Sequence, residues 1–556
     1  MATLLILALL LHHTQQKVLT TGLRIATDWN SSAQDFMYTE NQMSAGDINK
    51  ILHLWGITLA VHRDDPPFAD YKDLYNTIDA TPLDDVTWES FSLKYNGDKP
   101  AGECPLWMEQ SHENSKVELI IRPTRKFQEK DEQRRYKDFM SGDWAWQQAV
   151  QDEIAQDPQT HGAAFVPIIV GSDKTTVSVA TGQNNYYPLY LSIGNVHNNV
   201  RQANRNALAL VGFLAIPKND IRYRKFKKQL FHSLLSRIFA NLKPGMTTPE
   251  VTCCGDGHYR CVIYGLGPYI ADYEEQVVLA CMVKDWCGRC LAFPSSLDEG
   301  GVSRSREHTD VLVDSVDFGI LWDEYGIICK LVLIKGTFKD HLVEWVGQYL
   351  ELTHGKTRAK AIVDDIDRRI ASAPPFPGLR CFPQGHGFSQ WTGHNSKALM
   401  KVYLPAIEGH VPDDMVWAFR ALLEFCYIVH VNIVTDDTLA ALKDALGRVH
   451  TYQTIFQTTG VRIDISLPQQ HSLLYYELLI RMFGAANGLC SSIMESKHIK
   501  AVKQPWRCSN KYNALSQMLL TNQRLDKVAA ARADFTTRGM LKGSCAVSYN
   551  NSFGTC

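Results

Sequence analysis

The sequence predicts a mixed α/β fold, and three observations carry that expectation: an apolar strand pattern that ends on a carboxylate, two further strand patterns directly after it, and a long helical run in the second half. Phe165 to Val170 reads FVPIIV, continuously apolar as a strand covered on both faces requires, and it stops at Gly171-Ser172-Asp173. Thr176 to Ala180 alternates polar and apolar, Gly182-Gln183-Asn184-Asn185 supplies a turn, and Tyr186 to Ile193 is aromatic and β-branched. A meander of this kind delivers Asp173 to a strand tip. In a plain hairpin the same Asp would only cap a turn, and this segment alone leaves both readings open.

The other elements are taken in chain order. Residues 1 to 130 are the least coherent part: Asp47 to Ala60 has helical spacing, while Pro66, Pro67, Pro82 and Pro100 interrupt the stretch after it. Met1 to Leu11 is apolar but lacks a basic flank and is too short to span a bilayer, so a short buried helix is expected rather than a secretory signal. The first part of the sheet domain is expected over 131–245, with helices over Lys137 to Gln156, Asn198 to Val211 and Tyr223 to Leu242. A Cys-rich insertion is expected over 246–312 and another core strand within 313–340, in Asp317 to Leu333. A helical insertion over 341–485 holds Thr337 to Leu352, Thr357 to Ala371, Ser396 to Glu408, Asp414 to Val429, Asp437 to Thr459 and His471 to Phe483, and basic helices close the chain over 486–545.

Composition narrows the function classes. At 556 residues and 45% apolar the chain holds several cores, and a net charge of -2 gives no global signature of a nucleic-acid partner. Local charge does. Lys497 to Lys542 carries ten Lys or Arg against two Asp, and Arg222, Arg224 and Lys225 open a second basic run. Such runs are ordinary solvated helix faces unless they flank an active site.

Of fourteen cysteines, six fall between Cys253 and Cys290, which points to a local metal site and not to a disulfide framework. Cys281, Cys287 and Cys290 have the spacing C-x5-C-x2-C, and His308 completes a Cys3His zinc set. Closed coordination of that kind is structural. Cys253, Cys254, Cys261 and His258 are possible substitutes, and a group of buried free thiols is the plain alternative. Trp144, Trp146 and Trp391 could stack on bases but fit core packing better. No nucleophile elbow, HExxH or dinucleotide fingerprint occurs.

GSDKTTVSVATGQNNYYPLYLSIGNVHNNVR, KPGMTTPEV, YGLGPYIADYEEQ, LIKGTFKDHLVEWVGQYLELTHGK, QWTGHNSKALMKVYLPAIEGHVPDDMV, GLCSSIMESKHIKAVKQPWR and MLLTNQRLDKVAAARADF together resemble the Plavaka-type transposases of fungal DNA elements, related to Kyakuja, Dileera and Zisupton. The resemblance runs from about Asp138 to Lys542. It implies a ribonuclease-H-like core, two-metal phosphodiester cleavage and strand transfer with Mg2+ or Mn2+, a nuclear location, and DNA and a second copy of the chain as partners. Asp173 resembles the first carboxylate of the family's triad and Glu495 the last. Lys497, His498, Lys500, Lys503 and Arg507 come after Glu495 as expected phosphate contacts.

One family feature is missing. An Asp-Leu-Leu-His motif normally precedes the LIKGTFKDHL stretch, whereas here Ile328-Cys329-Lys330-Leu331-Val332 runs straight into Leu333, and Asp323, Glu324 and Asp340 do not align with the lost Asp. The chain therefore reads as a catalytically impaired copy. The alternative is a non-catalytic DNA-binding or relict protein on the same scaffold.

Overall fold

A computed structural model describes residues 33–60, 65–81, 125–127, 132–152, 154, 157–178, 184–202, 207–216, 224–254, 258–279, 287, 289, 290, 292, 294–297, 301, 327–329, 333–374, 379–387 and 393–537. Met1 to Leu11 lies outside these residues, as do Arg222, Cys281, His308, Asp323 and Glu324. Along the chain run α1 (Ala45–Leu59), α2 (Tyr71–Asp79), β1 (Lys126–Phe127), β2 (Arg134–Tyr136), β3 (Ala164–Ser172), β4 (Thr175–Ser178), β5 (Asn184–Tyr186), β6 (Pro188–Ile193) and β7 (Ala209–Phe213). Beyond these come α3 (Arg224–Phe239), β8 (Glu250–Cys253), β9 (Tyr259–Ala271), α4 (Tyr273–Leu279), β10 (Ile327–Cys329), α5 (Glu344–Ala371), α6 (Gly393–Ile407), α7 (Asp413–Val429), β11 (Val434–Thr435), α8 (Asp436–Gln453), α9 (Tyr476–Phe483), α10 (Ser492–His498) and α11 (Ala514–Thr537). Two compact units result, one of residues 1–121, 152–267 and 492–556, the other of 122–151 and 268–491.

The main sheet has the order β10-β9-β3-β6-β7, with β8 hydrogen-bonded to β9 off that path. β3 pairs antiparallel with β6, placing Gly171 opposite Tyr190 and Ser172 opposite Leu189. β6 pairs antiparallel with β7, and β10 lies parallel to the last residues of β9. β6 is buried at every position, and β3 from Ile168 to Ser172, which is why both read as near-continuous apolar runs. β4 and β5 form a separate two-stranded hairpin between β3 and β6.

Two expectations fail here. The pattern of Asn198 to Val211 predicts one helix. Among its described residues Asn198–Gln202 is helical, and Ala209–Phe213 is the fully buried β7. A short run of Ala, Leu and Val fits either element by periodicity, and pairing with β6 decides for strand. The second concerns the 246–312 block expected as a Cys-rich insertion, because β8 and the thirteen-residue β9 in its first half belong to the sheet.

Within the N-terminal segment the described residues 33–60 and 65–81 form capped helices around a small core. Ser44 caps α1 by accepting from Asp47 N–H at 3.2 Å, and Asp70 caps α2 by accepting from Lys72 and Asp73 N–H at 2.8 and 2.9 Å. Ile48, Leu52, Phe68, Leu74 and Ile78 form one apolar cluster with Val528 of α11. Each fully buried aliphatic side chain there contributes about 1.5–3 kcal/mol. The Arg524 guanidinium makes two bonds to the Asp79 carboxylate, at 2.8 and 2.7 Å, and joins α11 to the end of α2.

The second unit is mainly helical. α7 and α8 lie against each other in a core that also takes in Tyr136 of β2 and Phe338, Tyr403 and Phe419, whose rings meet edge-on or tilted. The expected break between Thr337 to Leu352 and Thr357 to Ala371 falls at Gly355, the non-helical residue inside α5.

Candidate functional site

In the first unit, β3 ends at Ser172 and leaves Asp173 just past the strand, its side chain 17% exposed. α10 brings His498 to it. His498 Nε2 lies 3.5 Å from Asp173 Oδ2 across 325 residues of sequence, and its Nδ1 lies 2.8 Å from the Tyr190 hydroxyl of β6. A carboxylate can only accept, so Nε2 is the donor in this pair, and in the tautomer protonated there Nδ1 accepts from the Tyr190 hydroxyl. Tyr190 is 1% exposed and His498 3%.

Glu495 is exposed and stands one turn before His498 on α10, and residues three apart are neighbours on a helix surface. The basic residues after it divide by burial. Lys497 and His498 are buried, which removes them from the expected phosphate-contacting set, while Lys500 and Arg507 are exposed and Lys503 is half-buried. Arg224 and Lys225 open α3. Cys254 and Cys261 lie at the β8–β9 hairpin, where Cys254 N–H donates to the His258 carbonyl at 2.8 Å.

The second unit holds a buried group of different character. Cys287, Cys290 and His471 offer one ligand atom each, all within 4.8 Å of one another. His471 Nε2 is 3.3 Å from Cys290 Sγ and 3.0 Å from the Tyr475 hydroxyl, which in turn is 3.4 Å from Cys287 Sγ. His471 Nδ1–H donates to the Leu297 carbonyl at 2.6 Å, so Nε2 presents its lone pair to the sulfurs. Backbone N–H groups two residues on donate to each sulfur, Arg289 to Cys287 at 3.3 Å and Ala292 to Cys290 at 3.4 Å.

Such donors stabilise thiolates, and two sulfurs with an imidazole are the soft and borderline ligands that suit Zn2+. The donor set therefore fits a metal ion. Burial, then hydrogen bonds with the two Cys side chains, pushes the Tyr475 hydroxyl far above its ordinary pKa and keeps it protonated as a donor. Gly301 closes the pocket: a Cβ there would meet Cys290 Sγ at 2.6 Å.

Sequence reading finds Cys287 and Cys290 but not His471. Short ligand spacing is a readable signal; a histidine 181 residues beyond Cys290 gives none except its place behind Pro468 in a short helical turn. The expected partners Cys281 and His308 lie outside the described residues.

A mixed sheet with a carboxylate at a strand tip in one unit, and a helical region whose buried Cys/Cys/His group could hold a metal ion in the other, define a mixed α/β protein. Residues 68–333, just under half of the chain, match the family model of the Plavaka transposase. The match begins within α2's approach and ends before α5, so it takes in Asp173, Cys287 and Cys290 but neither Glu495 nor His471. No curated protein matches the chain. Among the described residues, no helix is long and apolar enough to cross a membrane.

Proposed function

We propose that the chain is a DNA-binding transposase-type protein of the nucleus, with a ribonuclease-H-like core, in which Asp173 and Glu495 serve as metal-binding carboxylates. The observation that carries the reading is the approach of α10 to the end of β3, where His498 meets Asp173. The strand order supports it too, since three antiparallel strands run outward from β3 to β7 while β9 and β10 extend the sheet on the other side as a parallel pair. Two divalent cations supply activation of the attacking oxygen and stabilisation of the leaving oxygen when bound. Asp173 is partly exposed and a hard oxygen ligand, as Mg2+ requires. Lys500, Lys503 and Arg507 would hold the phosphate backbone beyond α10. Cys287, Cys290 and His471 would hold a structural zinc.

Cleavage should be weak if the missing Asp-Leu-Leu-His motif leaves one ligand unsupplied, because transition-state stabilisation falls with each lost metal contact. A nicking assay on hairpin and single-stranded DNA with Mg2+ or Mn2+ tests the set. Metal-dependent nicking that disappears in Asp173→Asn and Glu495→Gln supports the catalytic reading. Salt-dependent DNA binding with no nicking under any of these conditions selects the second reading, a non-catalytic DNA-binding protein, which the missing motif favours.

A further inference from the structure

We infer that Tyr190 and His498 are positioning residues that orient the Asp173 carboxylate for its metal, an inference that rests on the reading of Asp173 as a metal ligand.

Three elements meet at this corner, and each contributes one polar group. Gly171 lies opposite Tyr190 in the β3–β6 ladder, so the two share a face of the sheet, two residues before Asp173. Gly171 brings no side chain to that face. The imidazole of His498 lies beside Tyr190 there, with ring centroids 5.4 Å apart. The Tyr190 hydroxyl donates to Nδ1 at 2.8 Å, which fixes the ring's rotation and leaves the proton on Nε2. That proton points to Asp173 Oδ2, 3.5 Å away.

A buried phenol, a buried imidazole and a partly exposed carboxylate thus form a line from core to surface, and only the last member is reachable from outside. A hydrogen bond on Oδ2 restricts rotation of the carboxylate about its last torsion. Both of its oxygens would otherwise sample many orientations, and a ligand held in one orientation binds a cation more tightly. Partners of this outer kind are worth about 10–100-fold in metal affinity. His498 is then not a phosphate contact, even though it sits in a run of basic residues.

The test uses the full chain and Mn2+ alone, with binding measured by calorimetry or electron paramagnetic resonance and thermal unfolding as the control for folding. Gln places its amide nitrogen near the position of Nε2, whereas Asn places it near Nδ1. His498→Gln should therefore keep Mn2+ affinity within about 3-fold of the parent, while His498→Asn should lose about 10–100-fold at an unchanged unfolding midpoint. Tyr190→Phe should fall between them. Its imidazole 15N spectrum should show His498 released from a single tautomer.

Equal affinity in the Gln and Asn variants, whether both retained or both lost, would overturn the positioning role while leaving Asp173 as a ligand. Parent-like Mn2+ binding in Asp173→Asn is a different failure. It would remove the metal reading of Asp173, and the positioning role with it.

Discussion

The Asp173 corner and the Cys287/Cys290/His471 knuckle both join residues far apart in sequence, yet they are built in opposite ways. The knuckle is closed. Its three ligand residues are buried, its sulfurs accept from backbone amides, and its imidazole is fixed by a carbonyl. The Asp173 corner is buried only on its inner side and ends in a carboxylate that solvent reaches. The difference is one of chemistry: a closed shell of soft donors suits a structural ion, whereas a hard oxygen donor at a strand tip is left open to solvent.

Breaking the knuckle should have the largest effect. Cys290→Ala should remove the bound zinc, about one ion per chain in the parent by metal analysis, and lower the unfolding midpoint of the helical unit by about 10 °C or more, because structural zinc contributes folding free energy outright. Gly301→Ala should reproduce part of that loss by crowding Cys290 Sγ. A parent-like zinc content in Cys290→Ala would dissolve the contrast between the two regions.

The open region should respond in binding rather than in stability. Replacing Lys500, Lys503 and Arg507 by Ala should weaken DNA binding about 100-fold for all sequences alike and reduce the salt slope by about 2–3, with little change in unfolding. If duplex DNA binds the triple variant as tightly as the parent at every salt concentration, this run is a solvated helix face.

Acid should loosen the closed region first. His341 stacks on Trp345 and takes a hydrogen bond from Gln470, the neighbour of His471. Burial lowers its pKa from the ordinary 6.5 to about 4, against the pull of Asp340 and with a small further push from Arg462. The unfolded chain therefore binds this proton more readily than the folded one. Stability should be full above pH 6.5 and fall by about 2–3 kcal/mol as pH drops toward 4, and His341→Phe should flatten that dependence.

The smallest effect should come from Arg524→Ala, which breaks the partly exposed pair with Asp79 at the end of α2. About 1 kcal/mol is expected, read as a shift of a degree or a few in thermal unfolding.

Much of the framework is legible in the sequence because it is written locally. β3 and β6 are visible as apolar runs, α7 and α8 by their spacing, and the Cys-x2-Cys pair by its turn geometry. The elements that escape depend on contacts across the chain. β9 contains Gly265, Gly267 and Pro268 and looks broken as a strand. Gly265 is required because a Cβ there would meet the Phe165 ring at 2.5 Å, a contact about 100 residues away that spacing cannot announce. The N-terminal helices carry readable caps at Ser44 and Asp70, but nothing local says that their apolar faces close on α11. Lys497 and His498 mislead for the same reason: charge in a basic run predicts exposure, and only the fold shows that α10 turns them inward.

The unit that carries Asp173 is assembled from three separate stretches of chain, 1–121, 152–267 and 492–556, with most of the helical unit's sequence inserted between the second and third. Synthesis runs from the amino end, so the strands emerge from the ribosome long before the helix that brings His498. A nascent chain that has finished the sheet still lacks the imidazole beside its carboxylate. Completion of this corner comes late in translation, and a transcript cut short between residues 213 and 492 yields a chain that keeps Asp173 and its strand but never acquires α10.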